Sequence, residues 1–426
     1  MAMALEGVRI IDASGPIGHY AGRLLADLGA DVIKVEPPAG DPARYWAPFL
    51  SEVEVPESAL QFLLLNANKR GVTLDLTTPR DRELYLELAK TADVVMDSFS
   101  PDEAEQLGLT TEDLAAVKPE IIHTSVTGWG LTGPRANWAY ADIVGCAMSG
   151  VMTLAGVSEG PPEQLPDMQG YHCASIDAAA GTMGALLYQQ TTGLGQRVEV
   201  SMQEALSMAQ ETAMMTADIL GTNRERGVPM RGFSIPGTGL YEASDGHVYL
   251  MASGIAGTGF VGLVGFMEET GDQQDLDQEP YASFIRDNMN TNFIMTMMAD
   301  PEKVAHLTGL LAHMNQVVEE FCHKHPKLYL YEEGQKRRIL AGVVNTPQDI
   351  LESPQLEGRD WFVNLDDRGR GVTLRYPGPQ WQLQGTPTAL RRAAPLLGEH
   401  NNEVFSELGV EAGELAELAA GEVAPS

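Results

Sequence analysis

The sequence predicts an α/β fold with a parallel sheet. Short β-branched, apolar runs alternate with amphipathic helical segments along the first third of the chain, and turn residues separate them. This alternation is typical of βαβ units, whose strands are parallel and whose crossovers are right-handed. With 426 residues, 44% of them hydrophobic and 20% charged, the chain is long enough for two or three domains of roughly 150 residues, or for one large domain with an insertion.

The first βαβ unit is the clearest. Val8–Ala13 is a β-branched run that ends in the turn residues Ser14-Gly15-Pro16. The segment Tyr20–Leu28 repeats apolar residues at helical spacing, and Asp31–Glu36 follows as a second buried strand closed by two prolines. These three segments predict a strand, a helix and a parallel strand.

The pattern then recurs along the chain. The further predicted elements are a strand at Val72–Leu76, a helix at Pro79–Thr91, a strand at Val94–Phe99, a helix at Thr110–Val117 with Thr111 as its N-cap, a strand at Ile121–Val126, a small-residue helix at Ala174–Gln190, a strand at Arg197–Val200, a long helix from Met202, and a closing helix near Glu399–Leu408. Between residues 223 and 330 the chain changes to a glycine-bearing loop, a hairpin around Asp245-Gly246 and Met-rich helices. This change predicts a second, smaller domain.

Charge excludes several classes of partner. The chain has 28 Lys+Arg against 59 Asp+Glu, a formal net charge of −31, which opposes binding to nucleic acid or to an anionic membrane. The run 246–267 lacks charged residues but is broken by glycines and polar residues, so we expect no membrane helix. The three cysteines are far apart and form no metal pair, and the N-terminus has no signal-peptide pattern. We therefore expect a cytoplasmic protein without a bound metal.

Motifs alone predict little chemistry. The sequence has no Walker A loop, nucleophile elbow or HExxH motif. Gly15-Pro16-Ile17-Gly18 lies at the first βα turn, where backbone N–H groups can bind a phosphate, although a plain turn has the same composition. Lys69-Arg70 precedes a predicted strand and is either an anion site or a pair of solvated charges.

Seven segments, in order, nevertheless resemble one known family. They are LEGVRIIDAS from Leu5, LLADLGADVIKVEPPAGD from Leu24, NKRGVTLDL from Asn68, TADVVMDSF from Thr91, SVTGWGLTGP from Ser125, TTGLGQRVEVSMQEAL from Thr191 and PLLGEHNNEVFSELG from Pro395. Together the segments are similar to the family III CoA-transferases, which include formyl-CoA transferase, the carnitine CoA-transferases and α-methylacyl-CoA racemase.

The resemblance implies an architecture and a reaction. It implies a Rossmann-like large domain built from both chain ends (1–215 and 340–426), a smaller middle domain (223–330) and an interlocked dimer. Coenzyme A would be a substrate rather than a permanently bound cofactor. In the family, an Asp carboxylate attacks the acyl-CoA thioester, forming first a mixed anhydride and then an aspartyl-CoA thioester under a mobile glycine loop.

The catalytic positions depart from the family pattern. Counting back from Gly193, the position of the nucleophilic Asp is occupied by Tyr171, and a phenol cannot form a mixed anhydride. Asp167 and Asp177 are the nearby carboxylates that a shift in register would offer, although they could equally be a loop carboxylate and a helix-side carboxylate. Asp142 matches an acidic position beside the family's active site.

The remaining family positions are partly retained. Those that correspond to the CoA site are Ile17, Lys69, Arg70, Leu74, Asp75 and Arg135, and those of the glycine loop are Gly237 and Gly239, which could also be a simple hairpin connection. Two arginines of the family are replaced by Pro37 and Gln106.

The catalytic His and Glu of the racemases correspond to Ala141 and Ala256, which disfavours racemisation because no acid–base pair remains.

Three hypotheses follow. The first is a CoA-transferase that moves CoA between an acyl-CoA and a small carboxylic acid, with an atypical carboxylate. The second is the Asp-less subunit of a heteromeric transferase, paired with an Asp-bearing paralogue as in the benzylsuccinate CoA-transferases. The third is a CoA-thioester binding protein or isomerase without transfer chemistry.

Overall fold

The computed structural model describes residues 2–51, 53–157, 160–210, 212–224, 226, 235–252, 254, 257–293 and 305–410. These residues form two compact units. The first unit takes its residues from 1–156, 160–224 and 356–426, and the second from 157–159 and 225–355. The sequence placed the return of the chain to the large domain at residue 340, but Leu340–Val344 pairs with Gly246–Met251 inside the second unit, so the return comes at residue 356.

A six-stranded, fully parallel sheet forms the centre of the first unit, in the order β3-β2-β1-β4-β5-β6. Its strands are β1 (Arg9–Ala13), β2 (Asp31–Glu36), β3 (Arg70–Thr73), β4 (Val94–Asp97), β5 (Ile122–Thr127) and β6 (Gln196–Ser201). The order reverses between β1 and β4, and ligands of such sheets bind at the carboxyl ends of the strands beside this reversal. The predicted α/β class and the parallel sheet are therefore confirmed.

Helices cover both faces of this sheet. The helices of the first unit are α1 (His19–Asp27), α2 (Leu60–Asn66), α3 (Pro79–Lys90), α4 (Pro101–Leu107), α5 (Thr111–Val117), α6 (Asp142–Ser149), α7 (Val151–Leu154), α8 (Gln169–Thr192), α9 (Met202–Met208) and α10 (Ala213–Leu220). Successive residues of β1 point to opposite faces, so Ile10 packs with Leu24 and Tyr171 while Ile11 packs with Leu88.

The N-cap of α5 and the extent of α9 differ from the sequence prediction. Thr110, not Thr111, is the N-cap of α5, because its hydroxyl accepts a hydrogen bond from the backbone N–H of Asp113 while the Asp113 carboxylate bonds back to Thr110. The long helix predicted from Met202 is divided into α9 and α10.

The returning C-terminal segment completes the first unit. It contains the antiparallel hairpin β10 (Phe362–Asp367) and β11 (Val372–Pro377), together with a short helix at Asn401–Glu407. The backbone of this segment reaches β3, where His400 donates its N–H to the carbonyl of Gly71 over 2.9 Å.

The second unit is built on an antiparallel sheet, β7 (Thr238–Ala243), β8 (Gly246–Met251) and β9 (Leu340–Val344). The predicted hairpin around Asp245-Gly246 is confirmed. Its helices are α11 (Gly259–Thr270), α12 (Tyr281–Asn288), α13 (Thr308–Lys324), α14 (Lys327–Lys336) and α15 (Pro347–Leu351), and a further turn, α16 (Pro354–Glu357), follows. In the described part of the chain, none of the helices combines the length and apolar character needed to cross a bilayer.

Candidate functional site

A cavity of about 820 Å³ lies in the first unit, between three chain segments. Its walls come from the segment 46–65, the start of α6, and residues 164–172 at the start of α8. Three of the four predicted catalytic residues, Asp142, Asp167 and Tyr171, line it. The cavity is therefore the candidate active site.

Small residues anchor α8 and so position this site. The buried residues Gly170, Ala174, Ala178 and Thr182 recur every four positions on one face of α8, which lets the helix pack closely against the sheet. The hydroxyl of Ser175 donates to the carbonyl of Ile17 over 2.6 Å, at the turn after β1. The start of α8 is thereby fixed near the carboxyl end of the sheet.

Asp142 is the buried acid of the site. It is the first residue of α6 and is 6% exposed. Its Oδ1 accepts a 3.0 Å hydrogen bond from the backbone N–H of Tyr171, and the thiol of Cys146 donates to Oδ2 over 3.5 Å. Each carboxylate oxygen of Asp142 therefore accepts one hydrogen bond from the protein.

Tyr171, the residue that the sequence count places at the nucleophile position, lies in the first turn of α8 and lines the cavity. Burial is the main cause that raises the pKa of its phenol to about 12, with a further contribution from the Asp142 charge. The phenol is therefore protonated at neutral pH. It can donate a hydrogen bond into the cavity, but it cannot replace a nucleophilic carboxylate.

Asp167 is the exposed acid of the site. It precedes α8 by two residues, with a backbone φ of 54°, a left-handed conformation that Asp adopts more readily than most residues. No hydrogen bond from another described residue reaches its carboxylate, although it lines the cavity. The positive end of the α8 dipole favours an anion at this position.

Asp177, the other predicted alternative, lies on a different face of α8. Six residues after Tyr171, it is rotated by about 600°, or 240° net, around the helix axis. Its side chain is exposed, and it does not belong to the described lining of the cavity. Of the two alternatives, the structure brings only Asp167 together with Asp142 and Tyr171.

His172 is a site residue that the sequence reasoning missed. It lines the cavity, and its ring packs on that of Tyr20 with centroids 5.1 Å apart. Burial lowers its pKa below the usual 6.5, against the opposing effects of Asp142 and Asp167. His172 is therefore mainly neutral at pH 7. Its place beside Tyr171 in the sequence was the available signal.

Lys69 lies in the interior, away from solvent. Its ammonium donates to Oδ2 of Asp12 (2.7 Å), to the carbonyl of His19 (2.9 Å) and to Oδ1 of Asn66 (2.8 Å). Lys69 and Asp12 are both 0% exposed. All three ammonium donors are thus used within the protein, which leaves none for a CoA phosphate.

The guanidinium of Arg70 is also held by acidic side chains of the protein. Its guanidinium forms a two-point contact with Asp31 (2.9 and 2.6 Å) and further hydrogen bonds to Glu403 and Glu407. The last two partners lie in the returning C-terminal segment. Arg70 therefore ties both chain ends together, a role that differs from the phosphate contact that the sequence predicts.

The other predicted CoA positions lie at the carboxyl ends of strands. Ile17 follows β1, Leu74 and Asp75 follow β3, and Arg135 lies in the loop after β5. Ile17 and Leu74 are buried, whereas Arg135 is exposed and stacks over Trp138, 5.3 Å from the ring centroid. These positions lie along the sheet edge where ligands of such folds bind.

The predicted glycine loop belongs to the second unit. Gly237 and Gly239 flank the first residue of β7 with φ angles of 70° and 133°, conformations that favour glycine. A Cβ on Gly237 would stand 2.9 Å from Leu263. Ala256, which corresponds to the racemase Glu, lies outside the described residues.

Comparisons with known proteins identify the family of this chain. The model of CoA-transferase family III matches residues 5–401. The chain is 33% identical to the succinyl-CoA:(R)-benzylsuccinate CoA-transferase subunit BbsE of Thauera aromatica, covering 98% of this chain and 97% of that one. It is 31% identical to the formyl-CoA:oxalate CoA-transferase of Streptomyces avermitilis, and the match covers 96% of this chain and 97% of that protein.

A solved structure supports the same assignment. The crystal structure of a CaiB/BaiF family protein from Brucella suis superposes with a TM-score of 0.78 at 26% identity, covering 96% of this chain and 100% of that one. The chain is thus an enzyme that moves CoA between an acyl-CoA and a carboxylic acid, with the CoA thioester as substrate. It belongs to CoA-transferase family III.

Proposed function

We propose that the cavity of the first unit holds the acyl group and that Asp167 is the carboxylate that carries the transfer. One observation carries this assignment. Asp167 lines the cavity with a carboxylate that receives no hydrogen bond from the described residues, whereas Asp142 is held by two donors and Asp177 lies elsewhere on α8. A nucleophile must keep an oxygen free for attack.

The proposed reaction proceeds through four acyl transfers. A carboxylate oxygen of Asp167 attacks the thioester carbonyl and expels the CoA thiolate, which forms a mixed anhydride. The thiolate then attacks the Asp167 carbonyl, releases the first acid and leaves an aspartyl-CoA thioester. The incoming carboxylate attacks that thioester and again expels the thiolate. Attack of the thiolate on the acyl carbonyl of the new anhydride releases the new acyl-CoA and regenerates Asp167.

Tyr171 has a supporting role in this scheme. Each step passes through an oxyanion, and a protonated phenol is a suitable hydrogen-bond donor to that oxygen. The hydrogen bond between Asp142 and the backbone of Tyr171 holds this residue in place.

Coenzyme A itself is proposed to lie along the carboxyl ends of the strands. Ile17, Leu74 and Asp75 would contact it there, with Arg135 as the exposed cation for a phosphate. Lys69 and Arg70 are left out of this proposal because Asp12 and Asp31 already neutralise them.

Paired variants test the role of Asp167. Asp167→Asn removes the nucleophile and should lower kcat at least about 1,000-fold, because the other carboxylate among the described residues of the lining, Asp142, already accepts two hydrogen bonds. Asp177→Asn makes the same chemical change on the exposed face of α8 and should retain activity. The assignment would be overturned if Asp177→Asn lost activity while Asp167→Asn kept it. It would also be overturned if the two variants were equally active.

Assembly into an interlocked dimer is supported by apolar side chains on the first unit. Helices α6, α8 and α10 expose the following large apolar residues: Ile143, Val144, Met148, Ile176, Leu187, Tyr188, Met214, Met215, Ile219 and Leu220. Large apolar side chains exposed in such number are typical of a protein–protein interface.

A second candidate function is the Asp-less subunit of a heteromeric transferase. Two points favour it: an ungapped count back from Gly193 puts Tyr171 at the expected position of the nucleophile, and one relative of nearly equal length is named as a subunit. In that case the chain alone would be inactive and would gain activity with an Asp-bearing paralogue. Tyr171→Asp would then make the chain self-sufficient, with Tyr171→Asn as the uncharged control. A chain that binds acyl-CoA but gains no transfer activity by either route would be a CoA-thioester binding protein or isomerase.

A further inference from the structure

The walls of the cavity are mainly apolar. The apolar residues of the lining include Trp46, Pro48, Leu60, Leu64, Leu165 and Met168. A volume of about 820 Å³ falls within the range of sites that hold drug-sized molecules. The cavity therefore offers more apolar surface than a two- to four-carbon acid can cover.

The charges at the cavity have one sign. Asp142 and Asp167 line it, and the described residues of its lining include no Lys or Arg. His172, whose pKa burial lowers, supplies no positive charge at pH 7. A second carboxylate on the acyl group would thus enter an apolar space that already faces two acids, with no cation to pair with it.

We infer that the acyl group taken by this cavity is that of an apolar monocarboxylic acid, with an aromatic ring or a comparable hydrocarbon body, and that dicarboxylic acids are disfavoured. This inference rests on the proposed function, because it assumes that the cavity holds the acyl group. The apolar walls provide affinity for the hydrocarbon body. The two carboxylates provide discrimination against a distal negative charge.

Two unreactive CoA thioethers test the inference by binding alone. S-(3-phenylpropyl)-CoA carries an apolar end and S-(3-carboxypropyl)-CoA carries an acidic end, and calorimetry on the full chain at pH 7.5 gives both affinities. We expect the phenylpropyl compound to bind at least about tenfold more tightly. Equal affinities, or tighter binding of the carboxypropyl compound, would overturn the inference while leaving the transferase function intact.

A variant that introduces a positive charge makes the test specific to the cavity. Leu64→Lys places a cation in the wall and should shift the affinity ratio toward the carboxypropyl compound by about tenfold. Leu194→Lys adds the same charge at an exposed loop residue outside the cavity lining and should leave the ratio unchanged. An unchanged ratio in Leu64→Lys would contradict the inference. Absence of binding by both compounds, together with absence of transfer activity, would overturn the proposed function and the inference with it.

Discussion

The backbone N–H of Tyr171 donates a 3.0 Å hydrogen bond to Oδ1 of Asp142. This contact joins the first turn of α8 to the start of α6. It brings a protonated phenol and a buried carboxylate together in the cavity lining, which also contains Asp167, four residues before Tyr171. Two carboxylates, Asp142 and Asp167, thus lie around Tyr171 in this cavity.

The phenol of Tyr171 is expected to assist transfer without being the nucleophile. Tyr171→Phe removes one neutral hydrogen-bond donor, so we expect kcat to fall about tenfold with little change in KM. Steady-state kinetics of the wild type and the variant measure both parameters. Because the pKa of the Tyr171 phenol is about 12, the phenol stays protonated below pH 10, and its titration should not change the wild-type rate in that range. A change in KM with unchanged kcat would assign Tyr171 to binding alone.

Gly170 provides the space that Asp142 occupies. A Cβ at Gly170 would stand 2.9 Å from Oδ1 of Asp142 and 3.1 Å from the side chain of Met202. We expect Gly170→Ala to displace the carboxylate and to lower the transfer rate by about 100-fold, as small misplacements of a site do.

Gly184 is the matched control in the same helix. A Cβ at Gly184 meets nothing within 4 Å, so Gly184→Ala should raise the free energy of unfolding by about 0.5 to 1 kcal/mol and keep full activity. Equal activities of the two alanine variants would show that the close packing at Gly170 has no role in catalysis.

The pair Lys69–Asp12 is expected to stabilise the fold. Lys69→Met leaves the Asp12 carboxylate buried without its cation, which costs about 3 to 5 kcal/mol and should lower the melting temperature by roughly 6 to 15 °C. The double variant Lys69→Met with Asp12→Asn removes the unpaired charge and should recover much of this loss.

Lys90 is the surface control for this pair. It forms an exposed ion pair with Glu87, so Lys90→Met should change the free energy of unfolding by less than about 1 kcal/mol. Calorimetric melting and CoA titration of each variant separate stability from binding. A Lys69→Met protein of normal stability that fails to bind CoA would restore the phosphate role that the sequence predicts.

His172 predicts the pH dependence of acyl selectivity. The groups that face it are Tyr20, Asp142 and Asp167. Because burial lowers its pKa below 6.5, the ring is neutral at pH 7 and gains its proton only at more acidic pH. We expect the preference for S-(3-phenylpropyl)-CoA over S-(3-carboxypropyl)-CoA to shrink between pH 7 and 5, as a cation appears in the cavity.

His172→Phe keeps an aromatic ring against Tyr20 and removes the titrating group. Its affinity ratio should be independent of pH over the same range. A ratio that changes equally with pH in this variant would assign the effect to another group.

The sequence predicts the sheet better than the site. β2 lies at the predicted residues, Asp31–Glu36, because a β-branched run bounded by turn residues has few alternative structures. The helix α8 begins at Gln169, five residues before the predicted start at Ala174. Its first turn is stabilised by the distant Asp142, a contact that local propensity does not contain.

Long-range contacts also explain why the sequence does not predict the partners of Lys69 and Arg70. Lys69 and Arg70 form an adjacent pair in the sequence, yet Lys69 pairs with Asp12 and Arg70 with Asp31 and Glu403. These partners are 57, 39 and 333 residues away. Local sequence identifies such charges but not their tertiary partners, so the burial of both cations required the structure.

The covalent intermediate tests the central claim most directly. The chain, purified alone and with any co-encoded paralogue, is incubated with acyl-CoA, trapped by rapid acid quenching, digested and mapped by mass spectrometry. We expect an acyl or CoA adduct on the carboxylate of Asp167, lost in Asp167→Asn and kept in Asp177→Asn. An adduct at Asp177, or one found only on a partner chain, would contradict the account.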